Sequence, residues 1–132
     1  MSQLFAAVYD IQSATFGRPR LRLNLVIDRA NDSVVGTATL DLVSGDSHDI
    51  SVRGQHMEIA GEEALNALVL AGTPPIFAAL DDAPSAFQLL MVLPTAWKDG
   101  QACYKMSFGK SHPRVIDIRD GVARALLPEG VY

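Results

Sequence analysis

Hydrophobic and polar residues alternate along much of the chain, and the alternation is most regular in "LRLNLVIDRANDSVVGTATLDL", residues 21–42. A period of two places successive side chains on opposite faces of a β-strand, and the polar "RANDS" segment has the Asn and Asp residues that favour a turn. The pattern therefore predicts a β-hairpin with one apolar face. Ile27 must lie opposite Val34 or Gly36 for the two apolar sets to share that face.

The same period predicts strands in four other segments: "FAAVYDI" (5–11), "HDISVRGQHMEI" (48–59), "FQLLMVL" (87–93) and "QACYKMSF" (101–108). Within 48–59 the apolar positions change phase between Gly54 and His56, as they do at a β-bulge. Segment 87–93 is apolar at both parities, which is typical of a strand that is covered on both faces.

Two more segments carry turn or helix signals. "RVIDIRDGVARALL" (114–127) contains Asp120-Gly121, a strong signal for a two-residue turn, and predicts a hairpin in which Ile118 pairs with Ala123. "GEEALNALVLAGTP" (61–74) has the start and stop signals of a short helix near residues 62–71. The stretch "LNALVLA" within it also fits a short buried strand, so the pattern leaves helix and strand open.

Together these segments predict a single antiparallel, all-β domain over residues 1–132. Its eight to ten strands, linked in hairpin order, form either an up-and-down barrel or a two-sheet sandwich. A chain of 132 residues is long enough to bury one hydrophobic core. Because a small barrel can close around packed side chains or around one ligand, the fold class alone does not place a binding site.

In "FQLLMVLPTAWKDGQACYKMSFG" a strand ends in Leu-Pro and is followed by Trp97, a Lys-Asp-Gly turn and residues 102–105. This arrangement resembles a family of small uncharacterised bacterial proteins that is catalogued as a domain of unknown function. "VVGTATL" and "LVLAGTPPI" are similar to that family in the same order, so the resemblance rests on residues 21–42, 68–76 and 87–109. It implies an all-β architecture and favours strand over helix for residues 65–71, and it brings no catalytic residues with it.

Composition and charge narrow the function classes. Hydrophobic residues make up 48% of the chain and charged residues 20%, which is typical of a globular protein. The net charge of −4 argues against broad binding to nucleic acid or to an anionic membrane. The single cysteine, Cys103, excludes an intramolecular disulfide. No secretory signal is visible and the longest charge-free run, 64–80, is too short for a bilayer span, so we expect a bacterial cytoplasmic protein.

Arg18, Arg20 and Arg22 share one parity, and they would form a stripe on a strand that begins at residue 18. Guanidinium groups bind phosphate and carboxylate, so the stripe is the best candidate anion site in the sequence. The alternative is the solvent face of an edge strand, where charge discourages edge-to-edge pairing, and Pro19 fits that position. The solvent face is the more common role of such a stripe.

Two aromatic residues are candidates for contact with a ligand. Trp97 and Tyr104, with Phe108 at the parity of Tyr104, would line a hydrophobic cavity or give a sugar a stacking surface. Aromatic residues at one strand parity more often belong to the core, so we expect core packing first and ligand contact second.

His56 and Glu58 are the candidate metal ligands, because they share a face of one predicted strand and pair an imidazole with a carboxylate. His48 and His112 are the further histidines that would join them. The alternative is that His56 and Glu58 form the polar side of an amphipathic strand. No nucleotide-binding or hydrolase motif is present, so the sequence predicts no cofactor.

These observations favour a non-enzymatic binding or interaction module that recognises a partner protein or a small ligand at a sheet face or barrel mouth. A second hypothesis is a small enzyme that uses His56, Glu58 or the arginine stripe. A third is a structural subunit that forms a homodimer through an exposed strand edge.

Overall fold

The computed structural model describes residues 4–15, 17–61, 65–73, 84–94, 97–108 and 114–126 of the chain. These residues contain eight antiparallel strands: β1 (Leu4–Ser13), β2 (Arg20–Asp28), β3 (Ser33–Asp41), β4 (Ser47–Ile59), β5 (Leu65–Thr73), β6 (Pro84–Pro94), β7 (Gly100–Phe108) and β8 (Arg114–Leu126). The strands pair in chain order, and β1 pairs with β8 to close a barrel. The all-β prediction is confirmed, and the architecture is the up-and-down barrel.

The described residues contain no helix with the length and hydropathy that crossing a bilayer requires. The short helix predicted near 62–71 is wrong for residues 65–71, which belong to β5, while residues 62–64 lie outside the described part of the chain. Leu68 and Leu70 are buried inside the barrel and Val69 lies outside it. Because apolar residues occupy both faces of β5, their spacing imitates a helix, and the family resemblance gave the better prediction.

The apolar face of the opening hairpin lines the barrel interior. Leu21, Leu23 and Ile27 are fully buried, and Ile27 pairs with Val34, one of the two partners that the register argument allowed. Gly36 lies on the same face, where a Cβ atom would collide with the carbonyl oxygen of Asn24. A side chain there would push β2 and β3 apart, so glycine allows the two strands to coil closely.

Inward side chains from all eight strands form one hydrophobic core cluster. The largest of those that are fully buried are Tyr9, Phe87, Phe108, Ile11, Leu21, Leu23, Ile27, Leu40, Leu68, Leu70, Met91 and Leu93. An eight-stranded barrel has an interior about wide enough to be filled by its own side chains. These side chains fill it here, so a candidate site has to be sought on the ends or the outer surface.

The bulge predicted in β4 is wrong. Pairing of β4 with β5 continues without a register shift through Gly54 and His56, and pairing of β4 with β3 is regular up to Gln55. Both residues keep the inward parity, while Met57 and Ile59 point outward and are 48% and 45% exposed. The inward positions of β4 that are nearest its end hold a glycine and a histidine, where hydrophobic residues are expected, and the apolar residues Met57 and Ile59 lie at outward positions. The hydrophobic pattern in the sequence therefore changes phase although the strand does not.

The turn predicted at Asp120-Gly121 is also wrong, because both residues lie within β8. The register between β7 and β8 shifts there, which makes this a β-bulge. Ile118 and Ala123 are both buried, although their parities differ. The extra residue of a bulge reverses the inward parity in the same way as a two-residue turn, so the sequence pattern does not distinguish the two.

Asp120, an acidic residue within the bulge, binds side chains at and just after the end of β1. Asp120 accepts hydrogen bonds from Ser13 Oγ at 2.7 Å and from Thr15 Oγ1 at 3.0 Å. These hydroxyl groups hold the pKa of the Asp120 carboxyl below its usual range. The two hydrogen bonds fix the end of β1 against β8, where the barrel closes.

Candidate functional site

The outward side chains of β4 to β8 lie in rows that run across the strands. Directly paired residues of antiparallel strands have Cβ atoms about 5 Å apart, so each row is a continuous strip of surface. The cationic row consists of Arg53, Ala71, Gln88, Lys105 and Asp117. The floor row consists of Gln55, Val69, Leu90, Cys103 and, at the bulge, Arg119. The third row consists of Met57, Ala67, Val92, Gln101 and Val122.

The cationic row and the floor row line a cavity of about 880 Å³ on the outside of the barrel, which we call the outer groove. Val69 and Leu90 form the centre of its floor and are 44% and 42% exposed. Cys103 lies beside Leu90 and is partly buried. Pockets of a few hundred to a thousand Å³ with an apolar lining are typical of small-ligand sites.

A glycine accounts for part of this concave shape. Gly54 points inward from β4, and a Cβ atom there would collide with the carbonyl oxygen of Val69. Without that atom β4 and β5 coil closely, and Gly54 lies at the wall of the outer groove. The missing side chain of Gly54 thus lets β4 and β5 approach each other at the wall of the groove.

The apolar surface continues from the floor row into the third row. Met57 and Val122 are 48% and 47% exposed, and Ala67 is buried between its neighbours Met57 and Val92. A contiguous apolar area of this kind is informative, whereas single exposed apolar residues are common on protein surfaces.

The charged groups around the outer groove differ in their contacts. Arg119 donates from Nε and Nη2 to Asp117 Oδ2, at 3.3 and 3.2 Å, so these two residues largely neutralise each other. Arg53 and Lys105 make no ion pair or side-chain hydrogen bond in the part of the chain that the structure describes. The groove therefore presents two unpaired cations, although the chain as a whole has a net charge of −4.

Trp97 covers one end of the barrel. Its backbone has a positive φ of 58° and its N–H donates to the Pro94 carbonyl at 2.9 Å. The carbonyl of Trp97 accepts from Tyr9 Oη at 2.8 Å, and its ring packs against Phe5 and His56 with centroids 5.0 and 4.8 Å away. Burial raises the pKa of the Tyr9 hydroxyl above its usual range. Trp97 is thus a packing residue at this end.

His56 lies beneath Trp97 and is bonded inside the barrel. Asn66 Nδ2 donates to the Pro94 carbonyl at 3.2 Å, which leaves Asn66 Oδ1 to accept from His56 Nε2 at 2.8 Å. Nε2 of His56 is therefore the donor in this hydrogen bond. His56 Nδ1 is buried 3.3 Å from Asp32 Oδ1, but the angles are unsuitable for a hydrogen bond. These contacts join β4, β5 and the β6–β7 connection.

The candidate metal ligands are not brought together. The His56 side chain is 1% exposed, whereas that of Glu58 is 66% exposed and pairs with Arg29 at 3.4 Å. His48 lies at the other end of β4 against Phe108, with ring centroids 5.2 Å apart. His112 lies outside the described residues. Among those described, no group of three or more His, Cys, Asp or Glu residues could hold a metal ion.

The arginine stripe is divided by an internal ion pair. Arg20 donates from Nε to Asp10 Oδ1 at 2.8 Å and from Nη2 to the other oxygen, and Gln12 adds a bond at 3.2 Å. The Arg20 guanidinium holds the pKa of the Asp10 carboxyl below its usual range. Arg22 is exposed on the outer face of β2, and Arg18 is exposed in the connection before β2.

Tyr104 is separated from Trp97, since it points into the barrel from β7 with its ring 6.1 Å from that of Phe87. Its hydroxyl is buried without a hydrogen-bond partner among the described residues, and burial raises its pKa above the usual range. Tyr104 is nevertheless among the residues that line the outer groove, whereas Trp97 is not. The sequence contained a further signal, the two-sided hydrophobicity of β6, whose outward residue Leu90 lies in the floor.

Comparison with known proteins supports the resemblance. The family described as "Domain of unknown function (DUF1842)" matches residues 2–111, which is well over half of the chain. The chain belongs to this family. No curated protein matches the chain. Because the family description names no activity, the function of this DUF1842 domain has to be argued from its own surface.

Proposed function

We propose that this protein is a non-enzymatic binding module that holds a small ligand with an apolar body in the outer groove. The observation that carries the proposal is the contrast between a filled interior and an exposed apolar floor. Tyr9, Leu23 and Met91 occupy the space that a ligand would take inside the barrel. Val69 and Leu90 stay open to solvent in a concave site that is large enough for a small molecule.

The expected affinity is moderate. Fully burying a Val or Leu side chain contributes about 1.5–3 kcal/mol, so covering the exposed half of Val69 and Leu90 contributes about 1 kcal/mol each. Contacts with the third row and the rim add to this, and lost translational and rotational freedom opposes it. We therefore expect dissociation constants on the order of 1 µM to 1 mM.

A small ligand fits the outer groove better than a second copy of the chain does. In a two-fold dimer the same patch has to be complementary to itself. Two concave patches placed face to face leave a gap between their floors. The strand-edge homodimer is a separate hypothesis, and the closed barrel offers it no fully free strand among the described residues because each strand pairs on both sides. Oligomeric state stays a prediction.

Cys103 provides a direct test because it is the only cysteine in the chain and it lies in the floor row. We would measure the rate at which a chromogenic thiol reagent modifies Cys103, with and without a neutral probe (phenyl-naphthylamine) or an anionic probe (decanoate). A ligand in the groove should slow modification. Ala71→Phe fills the groove from an exposed position and should abolish the protection.

Ala6→Phe is the matched control, because Ala6 is exposed on the outer face of β1 and is not among the residues that line the groove. This variant should keep the protection that Ala71→Phe loses. The proposal fails when neither probe slows modification at millimolar concentration, or when both variants lose protection equally.

A further inference from the structure

We infer that the ligand of the outer groove is an amphipathic anion, with its acidic head between Arg53 and Lys105 and its apolar body lying along the strands over the floor row and the third row. This inference rests on the proposed function and adds the chemical class and the orientation of the ligand.

The position of the head follows from the unpaired cations. Arg53 and Lys105 lie in one row, three strand spacings apart, which is about 14 Å measured along the sheet. Both side chains are long and flexible, so their charged ends can converge on a group between them. Ala71 and Gln88 occupy the positions between them, and the methyl group of Ala71 leaves the row open there. The Gln88 amide can donate a further hydrogen bond to an anion.

The orientation follows from the change in polarity along the strands. Successive outward residues of one strand lie about 7 Å apart, so the three rows span about 14 Å. Polarity falls over that distance, from Arg53 and Lys105 in the cationic row, through Leu90 in the floor row, to Met57 and Val92 in the third row. A molecule with one acidic head and one apolar tail matches this order, whereas a uniformly polar or uniformly apolar molecule does not.

The arginine stripe is a weaker anion site than the sequence suggested. Arg20 already binds Asp10 through two hydrogen bonds. A ligand would have to compete with that buried carboxylate, which lies close to Arg22 as well. Within the described residues Arg53 and Lys105 make no ion pair, and Asp117, which lies opposite Lys105, is paired with Arg119, so both cations are available to an external anion.

A free small molecule fits better than a membrane surface. The long charged side chains of Arg53, Lys105 and Arg119 belong to the groove lining with Leu90, so a flat bilayer would meet these charges as well as the apolar floor. The net charge of −4 also opposes approach to an anionic bilayer over the rest of the molecule.

The test uses two fluorescent probes that differ by one charged group: anilinonaphthalene sulfonate and its neutral parent, phenyl-naphthylamine. Binding is titrated to the intact protein by fluorescence at low and high salt. We expect the sulfonate to bind about tenfold more tightly at low salt, since each exposed charge contact contributes roughly a two- to fivefold factor. Salt should reduce the difference because it screens exposed charges.

Arg53→Gln combined with Lys105→Gln should bring the affinity for the sulfonate down to that of the neutral probe and leave the neutral probe unchanged. Arg22→Gln is the matched control on the opposite wall and should leave both affinities unchanged. Decanoate should displace the sulfonate from the wild-type protein.

Each of the other possible outcomes overturns the inference, and they differ in what they imply for the proposed function. Equal affinity for the two probes overturns the inference but supports the proposed function, whereas no binding of either overturns both. A loss in Arg22→Gln as large as in the double variant places the anion on β2 and overturns the inference. Co-sedimentation with anionic-lipid vesicles without probe binding would identify a membrane surface as the partner of the groove. Dimerisation in the absence of probe that Ala71→Phe abolishes would identify a second copy of the chain. Either result overturns the inference of an amphipathic anion.

Discussion

The barrel has two outer walls that differ in character although their inner faces are alike. The polar wall consists of the outer faces of β1 to β3, where residues such as Asn24, Thr37 and Thr39 face solvent. Its outer face also carries the exposed apolar residues Leu4, Val26 and Val35, but these are not among the residues that line the outer groove. The groove wall consists of the outer faces of β4 to β8 and carries the contiguous apolar floor of the outer groove.

The comparison shows that the inward side chains hold both walls together. The outward side chains are not needed for this, so the two walls can differ in the polarity of their outer faces. The inward residues of β2 and of β6 are equally buried, so the apolar residues on the outside of β6 are not needed to close the core. The binding role that we propose would account for their exposure.

The cations of the two walls show the same difference. Arg20 on the polar wall is bonded to a buried carboxylate, whereas Arg53 and Lys105 on the groove wall are unpaired within the described residues. We therefore expect the first to stabilise the fold and the other two to serve binding.

The largest expected effect separates the two faces of β6. Leu89 points inward and is 3% exposed, while its neighbour Leu90 points outward and is 42% exposed. Leu89→Ala should lower the free energy of unfolding by about 2–5 kcal/mol because it leaves a cavity, and Leu90→Ala by less than about 1 kcal/mol. Urea unfolding measures both. Similar losses would mean that the outside of β6 is part of the core after all.

The next effect compares one cation from each wall. Arg20→Gln should lower the free energy of unfolding by about 1–3 kcal/mol because the buried Asp10 loses charge-assisted hydrogen bonds. Arg53→Gln, at an exposed position without a partner, should change it by no more than about 0.5 kcal/mol. The same urea experiment tests this pair, and a stability loss in Arg53→Gln equal to that in Arg20→Gln would refute the division of roles.

Acid should remove the stability that the Arg20–Asp10 ion pair contributes to the folded state. The pKa of Asp10 is lower in the folded state than in the unfolded chain, so its contribution is complete above the unfolded pKa of about 4 and is lost as the pH falls through the folded value. The difference in unfolding free energy between wild type and Arg20→Gln should therefore shrink below about pH 4. A difference that is constant from neutral to acidic pH would contradict it.

The smallest effect concerns two buried tyrosines that point inward, Tyr9 from a strand of the polar wall and Tyr104 from a strand of the groove wall. Tyr9→Phe removes the hydrogen bond to the Trp97 carbonyl and should lower the free energy of unfolding by about 1 kcal/mol. Tyr104→Phe removes a hydroxyl that has no partner among the described residues, so stability should stay unchanged or rise by up to about 1 kcal/mol. Thermal unfolding of the two variants gives the sign directly.

Local patterns were sufficient for most of the strands and for part of the register. The alternation in residues 21–42 limited the partner of Ile27 to Val34 or Gly36, because one-residue slippage would expose an apolar face, and the partner is Val34. The same rule failed at Gly54 and His56, where interior positions hold a glycine required by close strand approach and a histidine bonded to Asn66. Those reasons lie in neighbouring strands and are invisible in a single segment.

The candidate site was less predictable than the fold for a related reason. The outer groove depends on the register of five strands and on the close approach of β4 and β5 at Gly54, neither of which is local. The stripe of arginines was visible because its members are close in sequence, but the carboxylate of Asp10 that binds one of them comes from another strand. The sequence indicated the groove in advance only through Tyr104 and the two-sided hydrophobicity of β6.

The most direct test of the central claim is amide chemical-shift mapping of the nitrogen-labelled protein during titration with decanoate. The account predicts that the largest shifts cluster on the cationic row and the floor row, at Arg53, Val69, Leu90, Cys103 and Lys105. Shifts centred on Arg20 and Arg22 of the polar wall, or on inward residues of the core, would contradict it.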